Sequence, residues 1–192
     1  MNKPNVRDKK GCRMIILYEK KRPKIGDDVF IAQGARLIGE VVIGHDSSVF
    51  FNSVLRADIN RIIIGERTNI QDNCTIHVAS DKPVIVGSDV TIGHNVVIHA
   101  CEIGDNVTIG MSSTIMNGAV VGKNSIVAAG SLITRNKVFP EGVLILGNPA
   151  KVIRELTGEE IAGNRKMAIK YMGVKDKYLL EERVVALKSA VE

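Results

Sequence analysis

Residues 103–133 read IGDNVTIGMSSTIMNGAVVGKNSIVAAGSLI, with an aliphatic residue at Ile103, Ile109, Ile115, Val121, Val127 and Ile133. A strict period of six matches neither a 3.6-residue helix nor a two-residue strand alternation. It suits a coil with three flat faces, each made of one short strand and one corner. The same rhythm runs upstream through Ile25, Ile31, Leu37, Ile43, Val49 and Leu55, then Ile64, Ile70 and Ile76, then Val86, Ile92 and Ile98. The eighteen hexapeptides, three to a coil, predict about six coils stacked at the parallel-strand spacing of ~4.8 Å.

Gly often follows the aliphatic residue, as at Gly44, Gly65, Gly87 and Gly104, and is expected to relax the backbone at the corner. A small residue often stands fourth after it, as at Ser47, Ser53, Thr68, Ser113 and Ser125, and is expected to pack beside it. The rhythm ends after Ile133. A turn-rich exit, Gly147-Asn148-Pro149-Ala150-Lys151, precedes Thr157-Gly158-Glu159-Glu160, a capping box that opens a helix. Ile161, Tyr171, Val174, Tyr178, Leu179, Val185 and Leu187 supply an apolar stripe, while Gly163 and Gly173 leave open one helix or two. The expected organisation is a polar extension over 1–13, a parallel β-helix over 14–156 and a helical segment over 157–192. Met14 is an alternative start to Met1.

The composition agrees with narrow, regular layers: 192 residues, 4% aromatic, no Trp and 18 Gly. The net charge of +5 comes largely from the first 24 residues. Neither a nucleic-acid recognition motif nor stacking aromatics accompany it, so no nucleic-acid partner is expected. Cys12, Cys74 and Cys101 are odd in number and form no CxxC pair, which suits a reducing, cytoplasmic setting. No apolar run approaches ~18 residues, so no membrane span is expected.

Three of the four histidines, His77, His94 and His99, fall within 23 residues. His77 follows Ile76 and His99 follows Ile98. Ten residues separate Ile76 from Val86, four more than the repeat needs. With that loop set aside, His77 and His99 stand one coil apart at the same position, about 4.8 Å from each other. Two imidazoles so placed can converge on one ion. His94 belongs to the preceding face and can approach such a pair on a neighbouring subunit. His45 has no partner in register and reads as a solvated turn residue. Cys101 reads as a small buried filler.

The ordered set Arg56-Ala57-Asp58, Gln71-Asp72, Ile76-His77, Gly93-His94 and Ile98-His99 resembles the gamma-class carbonic anhydrases over about residues 14 to 180. The resemblance implies a left-handed coil and a homotrimer. It further implies zinc, or iron or cobalt, held by His77 and His99 of one subunit and His94 of the next. Gln71 would hydrogen-bond a metal-bound water or hydroxide, Arg56 and Asp72 would pair near the subunit boundary, and Asp58 would join them. The implied reaction is reversible hydration of carbon dioxide to bicarbonate. The chain departs from that pattern in three places. Ile59 stands where active members carry a glutamate, loop 78–83 has Asp81 as its one carboxylate, and Lys170 rather than Asn precedes Tyr171. Two other readings stay open: a coenzyme A-dependent hexapeptide acyltransferase, on the exit motif, and a non-catalytic metal-binding trimeric scaffold.

Overall fold

The computed structural model describes residues 14–189. The expected extension over 1–13, the choice between Met1 and Met14, Cys12, and the side chains of Val185 and Leu187 lie outside the described residues. The chain winds as a left-handed parallel β-helix closed by one C-terminal helix. The aliphatic column Leu55, Ile76, Ile98, Ile115 and Ile133 is paired rung on rung along one face. The next face stacks Ile64, Val86, Ile103, Val121 and Phe139. The third stacks Ile31, Val49, Ile70, Ile92, Ile109, Val127 and Ile145. These side chains fill one continuous core from which water is excluded, the dominant stabilising contribution in such a fold.

The solenoid makes about seven turns rather than six. The additional turn comes from segments outside the hexapeptide count. Ile15–Ile16 pairs with Leu37 and Ile38 before the first repeat, and Val143–Gly147 continues the third face after Ile133. Two strands, Arg36–Ile43 and Val54–Ile64, run unbroken around a corner and so join two faces into one twelve-stranded sheet.

The glycines after the aliphatic residues act differently from expectation. They keep ordinary φ angles, and what demands glycine is the neighbouring coil: a Cβ on Gly65 would lie 2.5 Å from the carbonyl carbon of Gly87. Left-handed backbone at the corners is instead taken by residues such as Asp46, Arg67, Asp89, Asn106 and Asn124, with φ of 52–59°. Asn and Asp tolerate that region best, whereas Arg67 and Ala100 occupy it as exceptions. The small residues do more than pack. Ser47 Oγ donates to Gly65 O at 2.8 Å and Thr68 Oγ1 to Gly87 O at 2.8 Å, so buried hydroxyls tie each coil to the next.

The helix Gly158–Ser189 is continuous through Gly163 and Gly173. Its capping box forms as read: Glu160 N donates to Thr157 Oγ1 at 3.2 Å and Thr157 N to Glu160 Oε2 at 2.9 Å. The helix lies over the third face. Tyr171, Val174 and Leu179 pack against Phe30 and Phe50, and Tyr178 stacks on Phe30 with ring centroids 5.0 Å apart. Its most buried side chains, however, are polar or small: Asn164, Ala168 and Lys175. Asn164 Nδ2 donates to Asn106 O and Ser125 O, and its Oδ1 accepts from Thr108 Oγ1. Lys175 pairs with Asp46 and Asp176.

Candidate metal centre

Strand register brings the first two histidines together. Val97–His99 pairs in parallel with Thr75–His77, with His99 opposite His77, and His77 in turn opposite Arg56. Side chains alternate along a strand, so Leu55, Ile76 and Ile98 point into the core while Arg56, His77 and His99 stand outward beside them. His77 Nδ1 and His99 Nε2 lie 3.1 Å apart.

The far side of each ring has an acceptor. Asp58 Oδ1 accepts from His77 Nε2 at 3.0 Å, and Asn117 Oδ1 accepts from His99 Nδ1 at 2.9 Å. A neutral imidazole carries one N–H, so these contacts leave the two facing nitrogens with lone pairs aimed at each other. Such a contact is repulsive unless a cation or a proton lies between the rings. Two nitrogens of a tetrahedral set with bonds of ~2.0–2.1 Å are separated by roughly 3.3 Å, close to what is seen. A carboxylate behind one histidine and an amide carbonyl behind the other are the supports that orient metal-ligating imidazoles. The residues present therefore fit a borderline metal ion.

Electrostatics agree. Burial, the largest influence, pushes His99 below the ordinary imidazole range against the Asn117 hydrogen bond, and nearby His77, Arg135 and Arg56 push the same way. Partial burial acts to raise the Asp58 carboxyl, but hydrogen bonds with His77 and Arg56 outweigh it and hold the carboxyl below its usual value. His99 is thus neutral and Asp58 charged at neutral pH, the states in which a ligand and its support work.

His94 stands apart from the pair. Its Nδ1 lies 2.8 Å from Asp72 Oδ2, and Asp72 Oδ1 also accepts from Phe51 N at 3.2 Å. Among the described residues no three His, Cys, Asp or Glu side chains of one chain gather as a ligand set. Within the chain Arg56 pairs with Asp58, and Asp72 meets His94. Gln71 is buried, and its Nε2 donates to Asn69 Oδ1 at 3.2 Å, which in turn is tied to Thr91. Ile59 is half exposed beside Asp58. Cys101 belongs to the aliphatic core, where burial raises its thiol to about 12, as for a small buried filler. His45 Nδ1 accepts from Asp27 N on the surface, as a turn residue does.

Asn117 was not among the residues singled out from sequence. Counting along the repeat does not find Asn117. Ile98 pairs with Ile115, so the rung after His99 belongs to Met116, and Asn117 reaches back from the corner.

Residues 61–100 match the family model "Hexapeptide repeat of succinyl-transferase" and residues 100–135 match "Bacterial transferase hexapeptide (six repeats)". A Methanocaldococcus jannaschii protein named "Probable carbonic anhydrase" is 51% identical over 148 residues, covering 77% of this chain and 93% of that protein. Gamma carbonic anhydrase 2, mitochondrial, of Arabidopsis thaliana is 44% identical over 160 residues, 80% of this chain and 58% of the longer plant protein. The crystal structure of a hexapeptide transferase family protein from Anaplasma phagocytophilum superposes with a TM-score of 0.83 at 41% identity, covering 86% of this chain and 98% of that one.

Proposed function

The chain belongs to the gamma-class carbonic anhydrase family, and on that footing we propose that it works as a metal-dependent homotrimer that reversibly hydrates carbon dioxide. The observation that carries the reading is the 3.1 Å approach of His77 Nδ1 to His99 Nε2, with Asp58 and Asn117 bonded to the far nitrogens of the two rings. His77 and His99, completed by His94 of the partner subunit, would hold zinc, or iron or cobalt. A metal in such a set acts as a Lewis acid and lowers the pKa of a water toward ~7.

The chain's own groups then have separate tasks. Asp58 fixes the His77 tautomer, and Arg56 holds Asp58 ionised through its ion pair. Asn117 fixes His99. Asp72 fixes the His94 ring through Nδ1 and leaves Nε2 for ligation across the subunit boundary. Gln71, anchored on Asn69, is the amide available to orient a reacting oxygen. The weak point is proton export, which calls for a titratable group between the site and solvent. Ile59 offers none, and Asp81 is the carboxylate of the adjoining loop. Turnover should therefore be limited by proton transfer, and added imidazole buffer should raise kcat while leaving kcat/KM unchanged.

Among the described residues no helix is long and apolar enough to cross a membrane. The free, buried Cys74 and Cys101 support a reducing, cytoplasmic setting. Exposed Lys151 at the exit hairpin is what the acyltransferase reading would use, but nothing in the histidine ladder serves it. Metal content per chain, on protein purified without chelator or affinity metal, tests the proposal beside stopped-flow carbon dioxide hydration. About one metal per chain, lost in His99→Ala, with measurable hydration supports it. Metal without hydration would leave the scaffold reading, and no metal after reconstitution would sink the carbonic anhydrase reading.

A further inference from the structure

The loop after His77 and the corners of two later coils border an open pocket of about 260 Å3 lined by exposed Asp81, Lys82, Arg135 and Asn136 and by half-buried Asn117. Every lining residue is polar, and two cations face one carboxylate. Among the described residues neither Lys82 nor Arg135 takes part in an ion pair. Nothing in the chemistry above uses Lys82 or Asn136, and Arg135 enters it only as a nearby charge on His99.

The pocket is built by ordered backbone. Loop 79–82 closes on itself, with Ala79 N donating to Lys82 O at 3.0 Å and Lys82 N to Ala79 O at 3.3 Å. Asn60 Nδ2 pins that loop by donating to Ala79 O at 3.0 Å and Ser80 O at 3.2 Å. Gly118 opens the space beneath. Its φ is +71°, and a Cβ there would lie 2.2 Å from Asn136 Oδ1 and 3.6 Å from Lys82 Cε. Because Ile115 pairs with Ile133, Asn117 and Arg135 occupy the same corner on consecutive coils, and Asn136 N donates to Asn117 O at 2.9 Å. Asn117 belongs to both sites. Its Oδ1 accepts from His99, while its Nδ2 has no partner among the described residues.

A forked guanidinium, an ammonium and an amide NH2 group are complementary to a planar oxyanion. The net excess of one positive charge and the volume, below the ~300–1,000 Å3 of drug-sized pockets, suit a small monoanion. We propose that Lys82, Arg135 and Asn117 bind a small planar oxyanion, bicarbonate or a short carboxylate, one side chain away from the histidine pair. The choice of bicarbonate rests on the carbonic anhydrase reading; the anion site itself does not. Bicarbonate held there is a product on its way out or a substrate for the reverse reaction. A carboxylate held there competes for the same exit.

The test titrates the protein as purified with sodium bicarbonate, sodium formate and sodium chloride at fixed ionic strength. The side-chain amide NMR signals of Asn117 and Asn136 are followed. Saturable shifts are expected with bicarbonate and with formate but not with chloride. Affinity should fall by about tenfold or more in Arg135→Gln and several-fold in Lys82→Gln, and stay unchanged in Lys137→Gln. Tighter binding of bicarbonate identifies a product site, and tighter binding of formate identifies a carboxylate site. Shifts that chloride reproduces, that never saturate, or that survive both substitutions overturn the proposal. Carbon dioxide hydration in the same samples keeps the two ideas separate. Saturable binding without hydration removes the carbonic anhydrase reading and keeps the anion site, and hydration without saturable binding does the reverse.

Discussion

The face that carries His77 and His99 and the face that carries the C-terminal helix are made from the same six-residue repeat, yet they are finished in opposite ways. Under the helix, Phe30 and Phe50 are sealed by Tyr171 and Tyr178. Asn164 is buried with its amide fully bonded, and Arg165 shares Asp89 with Arg67. On the histidine face no element among the described residues lies across the rungs, and Ile59 and Val97 remain 51% and 40% exposed beside a polar ladder. Inward rungs on both faces are interchangeable aliphatics. What distinguishes the faces is the outward rung, which either meets the chain's own helix or is left for another molecule. A homotrimer that completes the site with His94 would cover it.

That contrast can be broken at several levels. The largest effect should be the same on both faces. Ile109→Ala under the helix and Ile98→Ala under the histidines each remove a fully buried side chain. Each should cost about 2–5 kcal/mol, read as a shift in urea midpoint at unchanged slope. A large difference between them would mean the core is not one continuous column. Asn164→Ala should act on the helix face alone. It removes the donor to Asn106 O and Ser125 O, of which Ser125 O keeps Thr108 N, and the acceptor of Thr108 Oγ1, for about 1–3 kcal/mol of local stability. Hydrogen exchange should speed up in the helix and not in Val97–His99. Arg165→Ala sits on a half-exposed pair with Asp89 and should cost no more than about 1 kcal/mol.

The smallest effect is a pH dependence of the helix start. The Arg154 and Thr157 hydrogen bonds hold the Glu160 carboxyl down to about 2 from an ordinary 4.5. A depressed carboxylate contributes its stability above the unfolded value and loses it as pH falls through the folded one. Fraying of the first helical turn should therefore set in between pH 4.5 and about 2. Glu160→Gln should fray equally at pH 7 and at low pH.

The inner half of this architecture is readable without coordinates, because every sixth residue must be aliphatic to fill a narrow prism. The vertical pairing of His77 with His99 follows from the same count once the loop after His77 is set aside. The seventh turn is not readable that way, since Ile15 and Ile16 pair in register without belonging to a hexapeptide. Asn117 escapes because Ile103 follows Ile98 after five residues instead of six, which shifts the next rung by one. Asn164 and Lys175 escape for another reason. A stripe reading assigns polar helix residues to solvent, whereas here they bond to buried and half-buried carbonyls and to a carboxylate at the corners of the prism.

The central claim is that the histidines form one centre divided between subunits. The direct measurement is metal content of trimers assembled from a mixture of His94→Ala and His77→Ala chains, with each variant assembled alone as reference. Each mixed trimer contains one boundary where an intact His77–His99 pair meets an intact His94. The account predicts one metal per mixed trimer and none in either variant alone. Mixed trimers without metal, or a full complement of metal in the His94→Ala trimer alone, would contradict it.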